Sequence, residues 1–211
     1  MSFRKSSKVP TKESFSGENA EEYSEARWME RIQKATTRRA LELLEDPKIG
    51  GSIPSRERSS GLILDLGCGN GFSSEILHEN GYINIVGLEV SLDMLELNYL
   101  PFSIVLSDMK YLPFRKNKFS FVVSISAMNF ISQEVTDLKS IIRIYNSFSS
   151  DLYKILDENG RLVIEFYPKN SDELEIITKA FGKAKSGFSS FLVIDKPKTK
   201  KSQNYLISTK V

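Results

Sequence analysis

From Gly61 onward, short segments rich in apolar residues alternate with segments whose apolar positions recur every three or four residues. The apolar-rich segments fall at 62–66, 83–88, 102–107, 119–126, 161–167, 189–194 and 204–209, and each predicts a strand. Helical spacing lies between them at 72–80, 91–98, 134–157 and 171–182, with Ser147, Ser149 and Ser150 marking a point where the third can break. Alternation of this kind predicts a parallel sheet covered by helices on both faces. Only Lys196-Pro197-Lys198-Thr199-Lys200 and a few neighbours join the last two strands. That link is too short for a crossover, so the final pair should be antiparallel. Before the first strand, Ala26, Met29, Ile32, Ala40, Leu41, Leu43 and Leu44 recur with helical spacing and predict one or two helices over 18–44. The stretch 48–60 carries the breakers Gly50, Gly51 and Pro54 among several charges and reads as a loop. Residues 1–17 are polar and basic without periodicity, which predicts a flexible N-terminus ahead of one domain spanning 18–211.

Composition narrows the class. A chain of 211 residues, 40% hydrophobic and 27% charged, fits one globular domain with a sizeable core. Its one cysteine excludes an internal disulfide, and one cysteine with one histidine argues against a zinc site of Cys and His. No apolar run approaches the ~20 residues of a membrane span, and no signal-peptide core opens the chain, so a cytoplasmic protein is expected. Net charge is only +2, but its distribution is uneven. Arg4, Lys5, Lys8 and Lys12 precede the first acid, Glu13, while Lys183, Lys185, Lys196, Lys198, Lys200 and Lys201 face a single carboxylate, Asp195. Basic ends suit a polyanion such as RNA, or serve only as solvated segments.

The chemistry gathers where predicted strands end. Leu62-Ile63-Leu64-Asp65-Leu66 runs into Gly67-Cys68-Gly69-Asn70-Gly71, and a helix follows at once. Glycine lets such a turn adopt positive φ and bring backbone close to a ligand, at the strand ends where open α/β sheets bind ligands. The third glycine follows the second by two residues, which departs from the dinucleotide fingerprint. Glu89 and Asp108 end the next two strands, so three acids stand at successive strand ends. Cys68 has no general base or orienting acid near it in sequence, which favours a small side chain packed under the turn over a nucleophile. His78 falls on the polar side of the helix after the loop.

The loop resembles the S-adenosylmethionine (SAM) loop of class I methyltransferases. The resemblance implies a Rossmann-like α/β fold, a seven-stranded mostly parallel sheet with the last strand antiparallel, and here an extra N-terminal helix. It implies that Gly67, Cys68, Gly69 and Gly71 lie along the cofactor, with Asp65 near its ammonium group. Glu89 would accept the ribose hydroxyls beside Val90, Asp108 would take the adenine amino hydrogen, and Met109 would pack on the ring. Ser124 at the fourth strand and Tyr23 closing over from the N-terminal helix complete that set.

A closer likeness covers almost the whole chain. Tyr23, Arg31-Ile32-Gln33, Thr37-Arg38-Arg39-Ala40-Leu41-Glu42-Leu43-Leu44, Leu112-Pro113-Phe114, Ile125-Ser126-Ala127 and Glu165-Phe166-Tyr167-Pro168-Lys169-Asn170 resemble the small-subunit ribosomal RNA guanine-N7 methyltransferases of the Williams–Beuren syndrome type. Phe130 stands where the family has tryptophan, and Thr36 where it has methionine. The chain ends at Val211 without the long basic tail of eukaryotic members, which suggests an archaeal-like member. In the acceptor site the resemblance implies Phe130, Phe166 and Tyr167 as stacking surfaces and Asn129 as an edge contact. No general base is expected, because N7 of guanine carries a lone pair and no proton. It also implies a small zinc-binding activator subunit paired along the edge strand 102–107, with any zinc in that partner. A small-molecule methyltransferase and a SAM-binding ribosome-assembly scaffold are the competing readings.

Overall fold

The computed structural model describes residues 15–49, 53–98, 100–182, 186–197, 199 and 202–211. Seven strands form one sheet in the order β3-β2-β1-β4-β5-β7-β6. They are β1 (Leu62–Leu66), β2 (Asn84–Glu89), β3 (Ser103–Leu106), β4 (Phe119–Ile125), β5 (Leu156–Phe166), β6 (Phe188–Asp195) and β7 (Gln203–Lys210). β1 is buried along nearly all its length because it lies between β2 and β4 with helices on both faces, which explains why all but Asp65 of it is apolar. β7 runs antiparallel to both β5 and β6, so the short link after β6 makes a reversed pair as its length demands. Chain direction across the sheet switches at β1 and β4, and the carboxyl ends of these strands form the rim of a crevice.

The helices are α1 (Glu18–Glu25), α2 (Arg27–Leu44), α3 (Ser55–Ser60), α4 (Phe72–Glu79), α5 (Leu92–Glu96), α6 (Leu138–Ile155) and α7 (Ser171–Ala180). α1 and α2 are separated at Ala26, whose ψ of 89° leaves the helical region. Ala40, Leu41, Leu43 and Leu44 of α2 pack with Ile76, Leu77, Tyr82 and Phe121 on one face of the sheet. Tyr145, Phe148 and Leu152 of α6 and Ile177 of α7 pack with Leu64, Val122 and Leu162 on the other. Arg39 binds both carboxylate oxygens of Asp195, at 2.7 and 3.1 Å, and so ties α2 to the end of β6.

Three expectations need correction. The loop at 48–60 contains α3, a six-residue helix with no buried side chain and so no periodicity to betray it. α6 runs unbroken through its serines, because Tyr145 and Leu152 anchor both sides of that stretch in the core and Phe148 anchors its middle. It starts at Leu138, where the Asp137 carboxylate accepts the Ser140 N–H at 2.8 Å. β5 begins at Leu156 rather than 161, since Asp157-Glu158-Asn159-Gly160 passes through a bulge with Asn159 at φ 63°. Ahead of α1, Phe15 packs on Tyr23 and the Gly17 N–H donates to Asp93 at 2.7 Å. Residues 1–14, with Arg4, Lys5, Lys8 and Lys12, lie outside the described residues, as do Lys183, Lys185, Lys198, Lys200 and Lys201. No described helix is long and apolar enough to cross a membrane.

Candidate functional site

A cavity of about 790 Å³ opens at the carboxyl ends of β1 to β5, within the size range of small-molecule sites. One wall is the turn after β1. Gly67, Gly69 and Gly71 have φ of 80°, 53° and 95°, values that side chains other than glycine rarely adopt. A Cβ on Gly67 would also lie 2.3 Å from the Ala127 Cβ. The Gly67 and Cys68 N–H groups donate to the Leu88 carbonyl, at 2.7 and 3.1 Å, which pins the turn to β2. Cys68 packs so closely on Gly87 that a Cβ there would sit 2.7 Å from its sulfur. Burial pushes its thiol well above the usual range, with Asp65 and Glu89 adding to the effect, so no thiolate is available as a nucleophile.

The three strand-end acids differ in where they turn. Glu89 lines the cavity; one oxygen accepts the Gly69 N–H at 3.1 Å and the other accepts Val90 and Ser91 N–H groups, both at 2.9 Å. Asp108 also lines it and accepts the Lys110 N–H at 2.9 Å. Asp65 is fully buried and does not reach the cavity surface. Its Oδ2 accepts the hydroxyls of Ser73 and Ser74, each at 2.6 Å, while Oδ1 has no partner among the described residues. Burial raises its pKa from 3.8 to about 6, against the pull of the two serine hydroxyls and with the Glu89 charge adding to the rise.

Val90, Met109 and Tyr23 join Gly67, Cys68 and Gly69 in the lining. Tyr23 stacks on Phe72 with ring centres 6.3 Å apart, and burial with the nearby Glu89 charge raises its phenol pKa against a bond from Gln33. Gly71 and Ser124 are absent from the lining. Gly71 closes the turn onto α4, with its N–H donating to Cys68 O at 2.9 Å. Ser124 is buried and spends its hydroxyl on Leu66 O at 2.8 Å.

The opposite wall comes from the segments after β4 and β5. Asn129, Phe130 and Tyr167 line the cavity. Phe166 does not; it is fully buried in the α6–α7 core, since strand alternation turns it away from Glu165 and Tyr167. The two segments are stitched together repeatedly. Ser126, held at φ 55°, donates both N–H and Oγ–H to Glu165 Oε2, at 2.9 and 2.8 Å. Asn129 Oδ1 accepts the Tyr167 N–H at 2.8 Å. Glu173 accepts from Ser132 at 2.7 Å, Tyr145 at 3.0 Å and the Lys169 N–H at 2.6 Å, and Lys169 Nζ donates to Ser132 O at 2.9 Å. Burial raises the Glu165 pKa, opposed by bonds from Tyr167 and Ser126. His78 is exposed beside Phe102 and takes no part.

A third wall was not legible as part of the site. Trp28, Met29, Ile32 and Gln33 from the first half of α2 line the cavity, and Phe15 packs edge-on against Phe130 at 5.5 Å. Helical spacing through Met29 and Ile32 signalled a buried face without saying that a ligand space, not the sheet, lies under part of it.

Residues 63–147 match the family model described as "Methyltransferase domain". The chain is 33% identical to the 18S rRNA (guanine(1575)-N(7))-methyltransferase of Saccharomyces cerevisiae over 88% of this chain and 64% of that protein. It is 31% identical to the 18S rRNA (guanine-N(7))-methyltransferase of Arabidopsis thaliana over 99% of this chain and 70% of that one. It thus spans less than two thirds of the yeast relative's length. Among solved structures, the geranyl diphosphate C-methyltransferase of Streptomyces coelicolor superposes with a TM-score of 0.63, covering 93% of this chain and 82% of that one at 13% identity, a likeness of fold.

Proposed function

We propose a reaction from one premise: the chain belongs to the family of small-subunit ribosomal RNA guanine-N7 methyltransferases. It moves the methyl group of SAM to N7 of a guanosine in small-subunit ribosomal RNA. The residues present suit SAM. Asp65 Oδ1 is a buried acceptor without a partner, beneath a glycine turn whose open backbone a Cβ would obstruct. Glu89 and Asp108 present carboxylates to the cavity beside the apolar Met109 and Val90. When bound, SAM supplies an electrophilic methyl group. The chain's own task is to hold the donor along Gly67–Gly69 and to hold a base against it in line.

The acceptor wall carries this reading. It offers the rings of Phe130 and Tyr167 with the Asn129 amide, while its charged side chains, Lys169 and Glu173, are occupied in holding the wall together. Such a wall is poor in free bases, and N7 needs none because it has no proton to lose. Aromatic side chains commonly hold unstacked RNA bases, at ~1–3 kcal/mol for each. The test is borohydride–aniline cleavage mapping of ribosomal RNA from cells with and without the protein. One cleavage site present only with the protein is expected; identical patterns would sink the N7 assignment.

A small-molecule acceptor is the second reading, favoured by Phe15 packed over Phe130 on the acceptor side. It would put label from methyl-tritiated SAM into low-molecular-weight products and leave ribosomal RNA unlabelled. The reading also includes a partner. β3 is an edge strand that pairs with β2, and its Ile104 and Leu106 side chains are exposed. A small zinc-binding activator subunit adding a strand there would cover both.

A further inference from the structure

Among the described residues the Asn129 side chain makes one hydrogen bond, and it constrains what the amide can read. A backbone N–H can only donate, so the side-chain atom 2.8 Å from the Tyr167 nitrogen must be the amide oxygen. The orientation of this amide is therefore not arbitrary. With Oδ1 turned to β5, the Nδ2 hydrogens are what Asn129 offers to the cavity it lines, and Nδ2 has no acceptor among the described residues.

An unconstrained asparagine reads adenine: it donates to N7 and accepts from the N6 amino group. In a site that methylates N7, that mode would choose the wrong base and cover the nucleophile. The Tyr167 N–H holds Oδ1 toward β5, and so turns away the acceptor that this mode must aim at the base. What remains is a donor, and on the same edge of a purine guanine presents an acceptor, O6, whereas adenine presents a second donor. We propose that Asn129, oriented by the Tyr167 backbone, selects guanine over adenine by donating from Nδ2 to O6 while leaving the N7 lone pair free. The assignment rests on the guanine-N7 reading and adds a specificity determinant to it. The stitches at Ser126–Glu165 and Ser132–Glu173 hold the two segments in register, so the amide is braced from both sides.

The experiment uses protein purified by an affinity tag from its own cells, so that any bound subunit stays with it. Ribosomal RNA is assembled by ligation with either guanosine or 2-aminopurine at the mapped target; the analogue keeps N7 and the 2-amino group but lacks O6. Methyl transfer from tritiated SAM is expected to be about ten- to a hundredfold less efficient in kcat/KM on the analogue. Asn129→Asp keeps an oxygen for the Tyr167 N–H but turns a second oxygen toward O6. It should lose activity on guanosine and erase or reverse the preference over 2-aminopurine. Asn129→Ala should lower both activities, and unchanged melting temperatures for the two variants separate this from misfolding. Equal activity of the native protein on both RNAs, or an unchanged preference in Asn129→Asp, would overturn the role of Asn129. Methylation of neither RNA by the native protein would instead bring down the guanine-N7 reading, and this inference with it.

Discussion

Asp65 is a buried carboxyl with half its capacity unused, and its cost depends on pH. In the folded chain it titrates at about 6 against an ordinary 3.8. Between those values the folded state keeps a proton that the unfolded state releases. Its contribution to stability is therefore fully present below the ordinary value and is lost as pH rises through about 6. Above that, the chain carries a buried anion that a bound cation would relieve. SAM brings an ammonium group, so its affinity is expected to rise with pH through about 6 and then level off. Calorimetric titration on either side of that value checks this, with Asp65→Asn flattening the profile; a flat profile in the native protein would detach Asp65 from the cofactor. Ser126 illustrates the converse economy. A serine at φ 55° is strained by ~1–3 kcal/mol, and its two bonds to Glu165 offset that strain at the edge of the acceptor wall.

Among the elements, β3 has the plainest unmet requirement. Its neighbours in the sheet lie on one side, and Leu106 is 54% exposed on a strand with no charge or proline inside it. Leu106→Lys is expected to abolish co-purification of a partner subunit and to leave SAM binding within a few-fold of native, since residue 106 is outside the cavity lining. A stable, fully active monomer purified from native cells would show instead that the edge needs no cover. α2 is the opposite case, an element with two employers. Its C-terminal half buries Ala40, Leu41 and Leu44 against the sheet, while Trp28, Ile32 and Gln33 of its N-terminal half border the cavity. Such a helix couples the cavity wall directly to the core.

For the whole molecule, the sheet and its reversed last strand were legible because strands buried on both faces are mostly apolar, as Leu62–Leu66 is, apart from Asp65, and Phe119–Ile125, apart from Ser120 and Ser124. α3 was not, since a helix that buries nothing leaves no pattern. The cavity's strand-end residues were legible wherever backbone position decides the matter, as at Gly67, Gly69, Glu89 and Asp108. Side-chain direction was not: Ser124 and Phe166 neighbour the site in sequence yet spend themselves on Leu66 O and on the core. The contribution of Phe15 and Trp28 was also hidden, because it depends on how α1 and α2 settle across the crevice. Trp28 is the only tryptophan in the chain, and it lines the cavity at the carboxyl ends of the strands. Indole emission responds to changes in local polarity, so this protein carries its own optical probe. Addition of SAM or S-adenosylhomocysteine should shift the emission and give a saturable titration without any label, and Trp28→Phe should silence it.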